Sequence, residues 1–172
     1  KDESFKHIEA GAKKVIVSAP CKDADQTVVY GVNHKNISKQ DRIISVASCT
    51  TNCLAPLAFA IHKNFKIEKG YMTTIHSYTS DQRLLDNSHK DLRRARSAPN
   101  AIVPTSTGAA KSLRMIIPEL TNKIDGISIR VPTPNVSLVQ LSFNSKKKLT
   151  KEIINSSLLK ASNTYLKKVL GV

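Results

Sequence analysis

Apolar residues recur along this chain in two rhythms, and each change of rhythm marks an element. In residues 4–12, Phe5, Ile8 and Ala12 fall on one side at helical spacing, which predicts the end of an amphipathic helix closing near Gly11. Val15, Ile16 and Val17 form an unbroken apolar run, read as a short buried strand that Ser18, Ala19 and Pro20 stop. Residues 26–32 predict another extended run, 33–41 a polar connection and 43–46 a further strand. Helix followed by buried strand is half of a βαβ unit, so a parallel sheet is expected here.

From Leu54 the period becomes helical: Leu54, Leu57, Ala58, Ile61 and Phe65. Ser48 is the expected N-cap, with Cys49 at the first helical position. Pro56 conflicts with this, because an interior proline removes a backbone hydrogen bond; either the helix kinks there or it starts later. In residues 68–76, Tyr71, Thr73 and Ile75 alternate with Met72, Thr74 and His76, a strand with two distinct faces. Residues 77–100 are polar, charged and aperiodic, and a loop that long in a compact domain is usually functional. Residues 102–104 predict a brief strand, and 105–110 open a helix running to about Leu120. Residues 124–131 and 136–143 predict two strands joined by turn-forming residues 132–135 as an antiparallel pair, and 151–168 an amphipathic helix. The expected class is α/β plus α+β: the end of a Rossmann-type domain over 1–48, then most of a mixed-sheet domain over 49–172.

Composition narrows the chemistry. A chain of 172 residues, 40% hydrophobic and 23% charged, has the balance of a soluble globular protein. Its longest apolar stretch, residues 54–61, is too short to span a bilayer, and no signal-peptide pattern opens it. It begins with Lys1 rather than methionine, and is expected to be an internal piece of something longer. The net charge of +14 raises a nucleic-acid role, but Lys146, Lys147, Lys148 and Arg93, Arg94, Arg96 are not interleaved with stacking rings. A basic surface that draws in anionic substrates is the favoured reading. Three cysteines without a CxxC pair argue against a disulfide framework and for a reducing, cytoplasmic compartment. Cys49 and Cys53 share a helix face but lack zinc-site spacing, so no metal is expected; Cys21 reads as a packing or surface residue. For Cys49 two readings stand on the residues alone: a thiolate favoured by a helix N-terminus, or a small buried hydrophobe. None of the six glycines makes GxGxxG, so a dinucleotide phosphate loop would lie outside this chain.

The run from Ser48 through Cys49, Thr50, Thr51, Asn52 and Cys53 to Leu57 closely resembles the active-site signature of the phosphorylating glyceraldehyde-3-phosphate dehydrogenase family. The likeness continues, in the family's order, through residues 73–79, 89–94, 104–111 and 130–137. It implies an NAD-binding domain ending near residue 48 and a catalytic domain after it. It also implies an aldehyde oxidised through a Cys49 thioester and released by inorganic phosphate as 1,3-bisphosphoglycerate, a step of glycolysis and gluconeogenesis.

By that resemblance His76 activates the thiol, and the Cys49 N–H with the His76 ring forms an oxyanion hole. Thr79 and Arg130 would bind one phosphate group, and Ser48, Thr50, Thr107, Gly108 and Arg94 the other. Ser18 matches a position against the cofactor. Residues 80–96 resemble a segment reaching a neighbouring subunit's cofactor site, which implies a homotetramer; Asn87 and Ser88 depart from some relatives there and leave NAD against NADP open. The chain by itself is expected to be inactive. Erythrose-4-phosphate dehydrogenase, which shares the cysteine signature, is the competing activity. Thr79 and the run from Thr107 to Lys111 favour the glyceraldehyde enzyme.

Overall fold

The computed structural model describes residues 2–172. Helix α1 (Asp2–Glu9) leads into a three-stranded parallel sheet of β1 (Val15–Val17), β2 (Gln26–Thr27) and β3 (Ile43–Ser45), in the order β1-β3-β2. Gly11, at φ +102°, ends the first helical segment short of Ala12. The central strand β3 is fully buried, whereas β1 lies at an edge and leaves Ile16 69% exposed, so the run expected to be buried is only half so. The extended run expected over 26–32 shrinks to two residues. Asn33 folds the chain back there: its Oδ1 accepts from the Val29 N–H at 2.8 Å and its Nδ2 donates to the Thr27 carbonyl at 3.0 Å. A single 3₁₀ turn (His34–Asn36) interrupts the polar connection that follows.

Helix α2 (Cys49–Phe65) begins where the cap residue predicts, with the Ser48 side chain accepting from the Thr51 N–H at 3.1 Å. Pro56 lies inside it, buried, so the later start is excluded. The helix survives because its inner face, Leu54, Ala58, Ile61 and Phe65, joins Ile67, Met72, Leu113 and Ile116 in one core. At its far end buried His62 accepts from the Ile67 N–H through Nδ1 at 3.1 Å. Burial, then the charges of Lys123 and Lys66, hold the His62 pKa below its ordinary value against a smaller opposing effect of Glu119. The unfolded chain therefore binds a proton that the folded one resists. Stability from this group is complete above about 6.5 and is lost as pH falls through the lower folded value. Urea midpoints of the full-length protein should drop between neutral and mildly acidic pH, and His62→Gln should flatten that drop; an unchanged slope would count against this role.

The second sheet contains β4 (Ile67–Ser77), β5 (Val103–Thr105), β6 (Ile124–Val131) and β7 (Ser137–Ser145), ordered β5-β6-β4-β7. The alternation expected in β4 is present: Met72, Thr74 and His76 are buried, and Tyr71 and Ile75 are exposed. The two strands expected to pair with each other do not. β4 lies between them, parallel to β6 and antiparallel to β7. Gly126 accounts for the β4–β6 contact, because it faces Met72 and a Cβ there would lie 2.4 Å from the Met72 carbonyl oxygen. Residues 132–136 arch over the end of β4, with the Ser77 and Tyr78 N–H groups donating to the carbonyls of Val136 and Thr133.

Strand β5 sits one residue later than expected and takes in Thr105. Helix α3 (Ala109–Ile116) starts after it and stops before Pro118, which forces Ile117 out of helical geometry and begins a 3₁₀ turn (Pro118–Leu120). The expected continuous helix to Leu120 is thus two pieces. Helix α4 (Lys151–Asn163) closes the core and also ends earlier than the sequence suggests, with turns following. Among the described residues no helix is long and apolar enough to cross a membrane. Among the described residues the architecture is mixed α/β, with four α-helices and two sheets.

Candidate active site

Between β3 and α2 the backbone makes a tight turn through Ala47, which is buried at φ +60° although it is not glycine. The turn is held from both sides. The Ala47 N–H donates to Ser45 Oγ at 3.2 Å, and Asn52 Nδ2 donates to the carbonyls of Val46 (2.6 Å) and Ser48 (2.9 Å). It delivers Cys49, exposed, to the first turn of a long helix, where unpaired N–H groups gather. His76 arrives from the buried face of β4, one residue from its end. Its Nε2 lies 3.2 Å from Cys49 Sγ.

The other imidazole nitrogen is doubly contested. Nδ1 lies 2.7 Å from the Ser77 carbonyl and 2.8 Å from Arg130 Nη1, which itself donates to that carbonyl at 2.9 Å. Nδ1 can donate to Ser77 or accept from Arg130, and not both at once. Arg130 comes from β6 in register with His76. Burial, then the charge of Arg94, draw its pKa down from the usual guanidinium value, while Cys49 and Asp81 push it up. Its Nε is buried without a partner among the described residues. Two crowded guanidiniums and an orphaned donor are what an oxyanion would relieve.

Cys49 opens onto a cavity of about 200 Å³ lined by Ser48, Thr50, His76, Arg94, Thr107, Gly108 and Arg130. Eight of the residues expected at the site therefore share one cleft. Thr79 lines an adjoining hollow that also reaches Cys49, Thr50 and His76. The sequence-based grouping joined Thr79 to Arg130, but Arg130 lies in the cavity with the other set. Ser18 is exposed at the end of β1 and lines neither. Thr107 is not the N-cap of α3, a position held by Gly108; its hydroxyl accepts from the Ala109 N–H at 3.2 Å. Cys53 lines the hollow beside Cys49, and partial burial, then the Cys49 charge, push its thiol pKa up. The two sulfurs are thus unequal, and the imidazole stands against only one.

Sequence reasoning passed over several contributors. Ser112 and Ser128 also line the cavity. Spacing could have found both: Ser112 lies one helical turn after Gly108, and Ser128 lies two residues before Arg130 on the same strand face. Less legible is what holds Arg94. Its Nε donates to Thr105 Oγ1 at 2.9 Å, its Nη1 to Asp81, and its Nη2 to the Ser106 carbonyl at 3.3 Å. The Thr105 hydroxyl in turn donates to Asp91 Oδ2 at 3.1 Å.

Comparison with known proteins gives the chain's family. The sequence profile of the glyceraldehyde 3-phosphate dehydrogenase C-terminal domain matches residues 48–172. The chain is 54% identical over 171 residues to a glyceraldehyde-3-phosphate dehydrogenase of Xanthobacter flavus, which covers 99% of this chain and 51% of that protein. It is 56% identical over 164 residues to one of Zymomonas mobilis (95% and 49%) and 57% identical over 164 residues to one of Borreliella burgdorferi (94% and 49%). The chain spans about half the length of the curated relatives it matches. It belongs to the glyceraldehyde-3-phosphate dehydrogenase family, through the C-terminal domain of that family.

Proposed function

We propose that the full-length protein oxidises D-glyceraldehyde 3-phosphate to 1,3-bisphosphoglycerate with NAD and inorganic phosphate. The observation that carries this reading is the Cys49 Sγ to His76 Nε2 contact of 3.2 Å at the mouth of a cleft walled by Arg94 and Arg130. Cys49 sulfur attacks the aldehyde carbon, a C–S bond forms, and the oxygen takes a proton from the His76 imidazolium. NAD⁺, when bound, supplies the two-electron acceptor that takes hydride from this hemithioacetal. His76 accepts the hydroxyl proton as the carbon becomes a thioester. A phosphate oxygen then attacks the thioester, the C–S bond breaks, and the sulfur leaves as thiolate. Each anion that engages Arg130 draws it from His76, which frees Nδ1–H to donate to Ser77 and leaves Nε2 to handle the proton.

Thr79 is proposed for the substrate's phosphate, with Arg130 reaching toward it past His76, which lines both hollows, and Ser48, Thr50, Thr107, Gly108 and Arg94 for the attacking one. The residues present fit the nicotinamide end of the cofactor only. Strands β1, β2 and β3 are parallel, and the carboxyl end of β3 runs into Cys49, the edge where such sheets receive ligands. Ser18 follows β1 on that edge, and residues 1–48 are proposed as the end of a Rossmann-type domain. No glycine-rich phosphate turn lies in the chain. A homotetramer is supported by exposed apolar residues on the outer sheet face (Tyr71, Ile75, Leu138) and on the long loop (Leu84, Leu85, Leu92). A reducing, cytoplasmic setting suits three free cysteines.

The test compares two aldehydes, glyceraldehyde 3-phosphate and erythrose 4-phosphate, with NAD and with NADP, each with and without inorganic phosphate. The reading predicts turnover that favours the first aldehyde with NAD and depends on phosphate. Equal or better phosphate-independent turnover of the four-carbon aldehyde would overturn it.

A further inference from the structure

The most deeply buried residue lining the cleft plays no part in the steps described above. Ser128 lies on β6 two residues before Arg130 and is 3% exposed, yet it borders the cavity. Its neighbours across the sheet are Thr74 on β4 and Thr105 on β5. Thr105 is committed, since its hydroxyl accepts from Arg94 Nε and donates to Asp91. The Ser128 hydroxyl makes no hydrogen bond among the described residues. Neither does that of Ser112, half-buried on α3 and lining the same cavity, although a helical serine can bond the carbonyl one turn back. Two hydroxyls left open toward one cleft call for a ligand atom.

The rest of the wall decides which atom. Arg94 and Arg130 can only donate, and so can the N–H groups at the start of α2. His76 Nε2 is engaged with Cys49, Ser48 Oγ with the Thr51 N–H, and Thr107 Oγ1 with the Ala109 N–H. Ser106 is exposed, and Thr50 is shared with the adjoining hollow. A wall of donors suits bare oxygens. Inorganic phosphate near neutral pH also carries a P–OH, which needs an acceptor, whereas sulfate has only bare oxygens. We infer that Ser128, together with Ser112, accepts the P–OH of the attacking phosphate, so that the cleft selects a protonated tetrahedral anion over an unprotonated one. The same contact turns a bare oxygen toward the thioester. That oxygen forms the C–O bond, the C–S bond breaks, the sulfur leaves as thiolate, and the proton stays on the oxygen held at Ser128. This rests on the reading of the cleft as the phosphate site, and deepens it by naming what the site discriminates.

Full-length protein would be assayed with phosphate, with arsenate, which likewise carries a proton, and with sulfate as a competitor of phosphate. In Ser128→Ala the KM for phosphate should rise about tenfold, the scale of a donor left without its acceptor in a buried site. The KM for arsenate should rise with it, while the Ki of sulfate should change by less than about twofold, because sulfate loses one donor among many. Ser112→Ala should move the same ratio in the same direction by a smaller factor. Ser128→Thr, which keeps the oxygen, should stay nearer the unmodified ratio than Ser128→Ala. An unchanged phosphate KM in Ser128→Ala would overturn the inference. A sulfate Ki that rises as far as the phosphate KM would also overturn it, by showing a hydroxyl that only donates. Phosphate-dependent turnover of the unmodified protein reports on the parent reading separately, and its absence would remove both.

Discussion

Replacing Cys49 by serine in the full-length protein is expected to abolish aldehyde oxidation, by on the order of 10⁴-fold or more. The oxygen occupies nearly the same place at the start of α2, so the Ser48 cap and the buried face of the helix are undisturbed. What disappears is a polarisable sulfur 3.2 Å from the His76 imidazole, and with it the thioester. Cys53 does not substitute. It sits one turn further along the helix, and burial with the Cys49 charge keeps its thiol protonated. Steady-state turnover together with the NADH burst checks this, and substantial residual turnover would contradict the assignment of the nucleophile.

His76→Asn should have the next largest effect, slowing both turnover and the alkylation of Cys49 by iodoacetamide at neutral pH by on the order of 10²-fold. Asparagine keeps a polar group on the buried face of β4 but cannot take up and return a proton. The loss is not repaired by Arg130, which remains close as a fixed charge and cannot act as a base. The alkylation rate isolates the pairing from cofactor and substrate, because the reagent needs neither. An unchanged rate would remove the activating role of the imidazole.

Much of this site was legible in the chain, for local reasons. Ser48 at a helix start, Cys49 after it and the helical recurrence from Leu54 are short-range signals, and α2 begins where they place it. The alternation of β4 sets His76 on one face with Met72 and Thr74, because a strand's faces follow a period of two; that this is the buried face is visible only in the structure. The pairing of strands was less accessible. Residues 132–135 suggested a hairpin, yet β4 runs between the two strands. That insertion depends on one glycine facing Met72 across a long separation in sequence.

The aperiodic loop hid the most. Asp81, Asp91 and Thr105 act on Arg94 through hydrogen bonds between segments that no pattern links. The turn at Asn33 likewise cut a strand that its apolar residues had promised, because one amide side chain bonded the backbone first. Pro118 punctuates α3, a signal present in the sequence that the expected helix to about Leu120 leaves out of account.

The most direct measurement of the central claim is to trap the acyl-enzyme. Full-length protein would be incubated with glyceraldehyde 3-phosphate and NAD⁺ in the absence of inorganic phosphate, digested, and mapped by mass spectrometry. The account predicts an acyl adduct on the peptide carrying Cys49, on the sulfur of that residue, released when inorganic phosphate is added. NADH formation with the adduct on Cys53 or Cys21, or with no thioester on any cysteine, would contradict it.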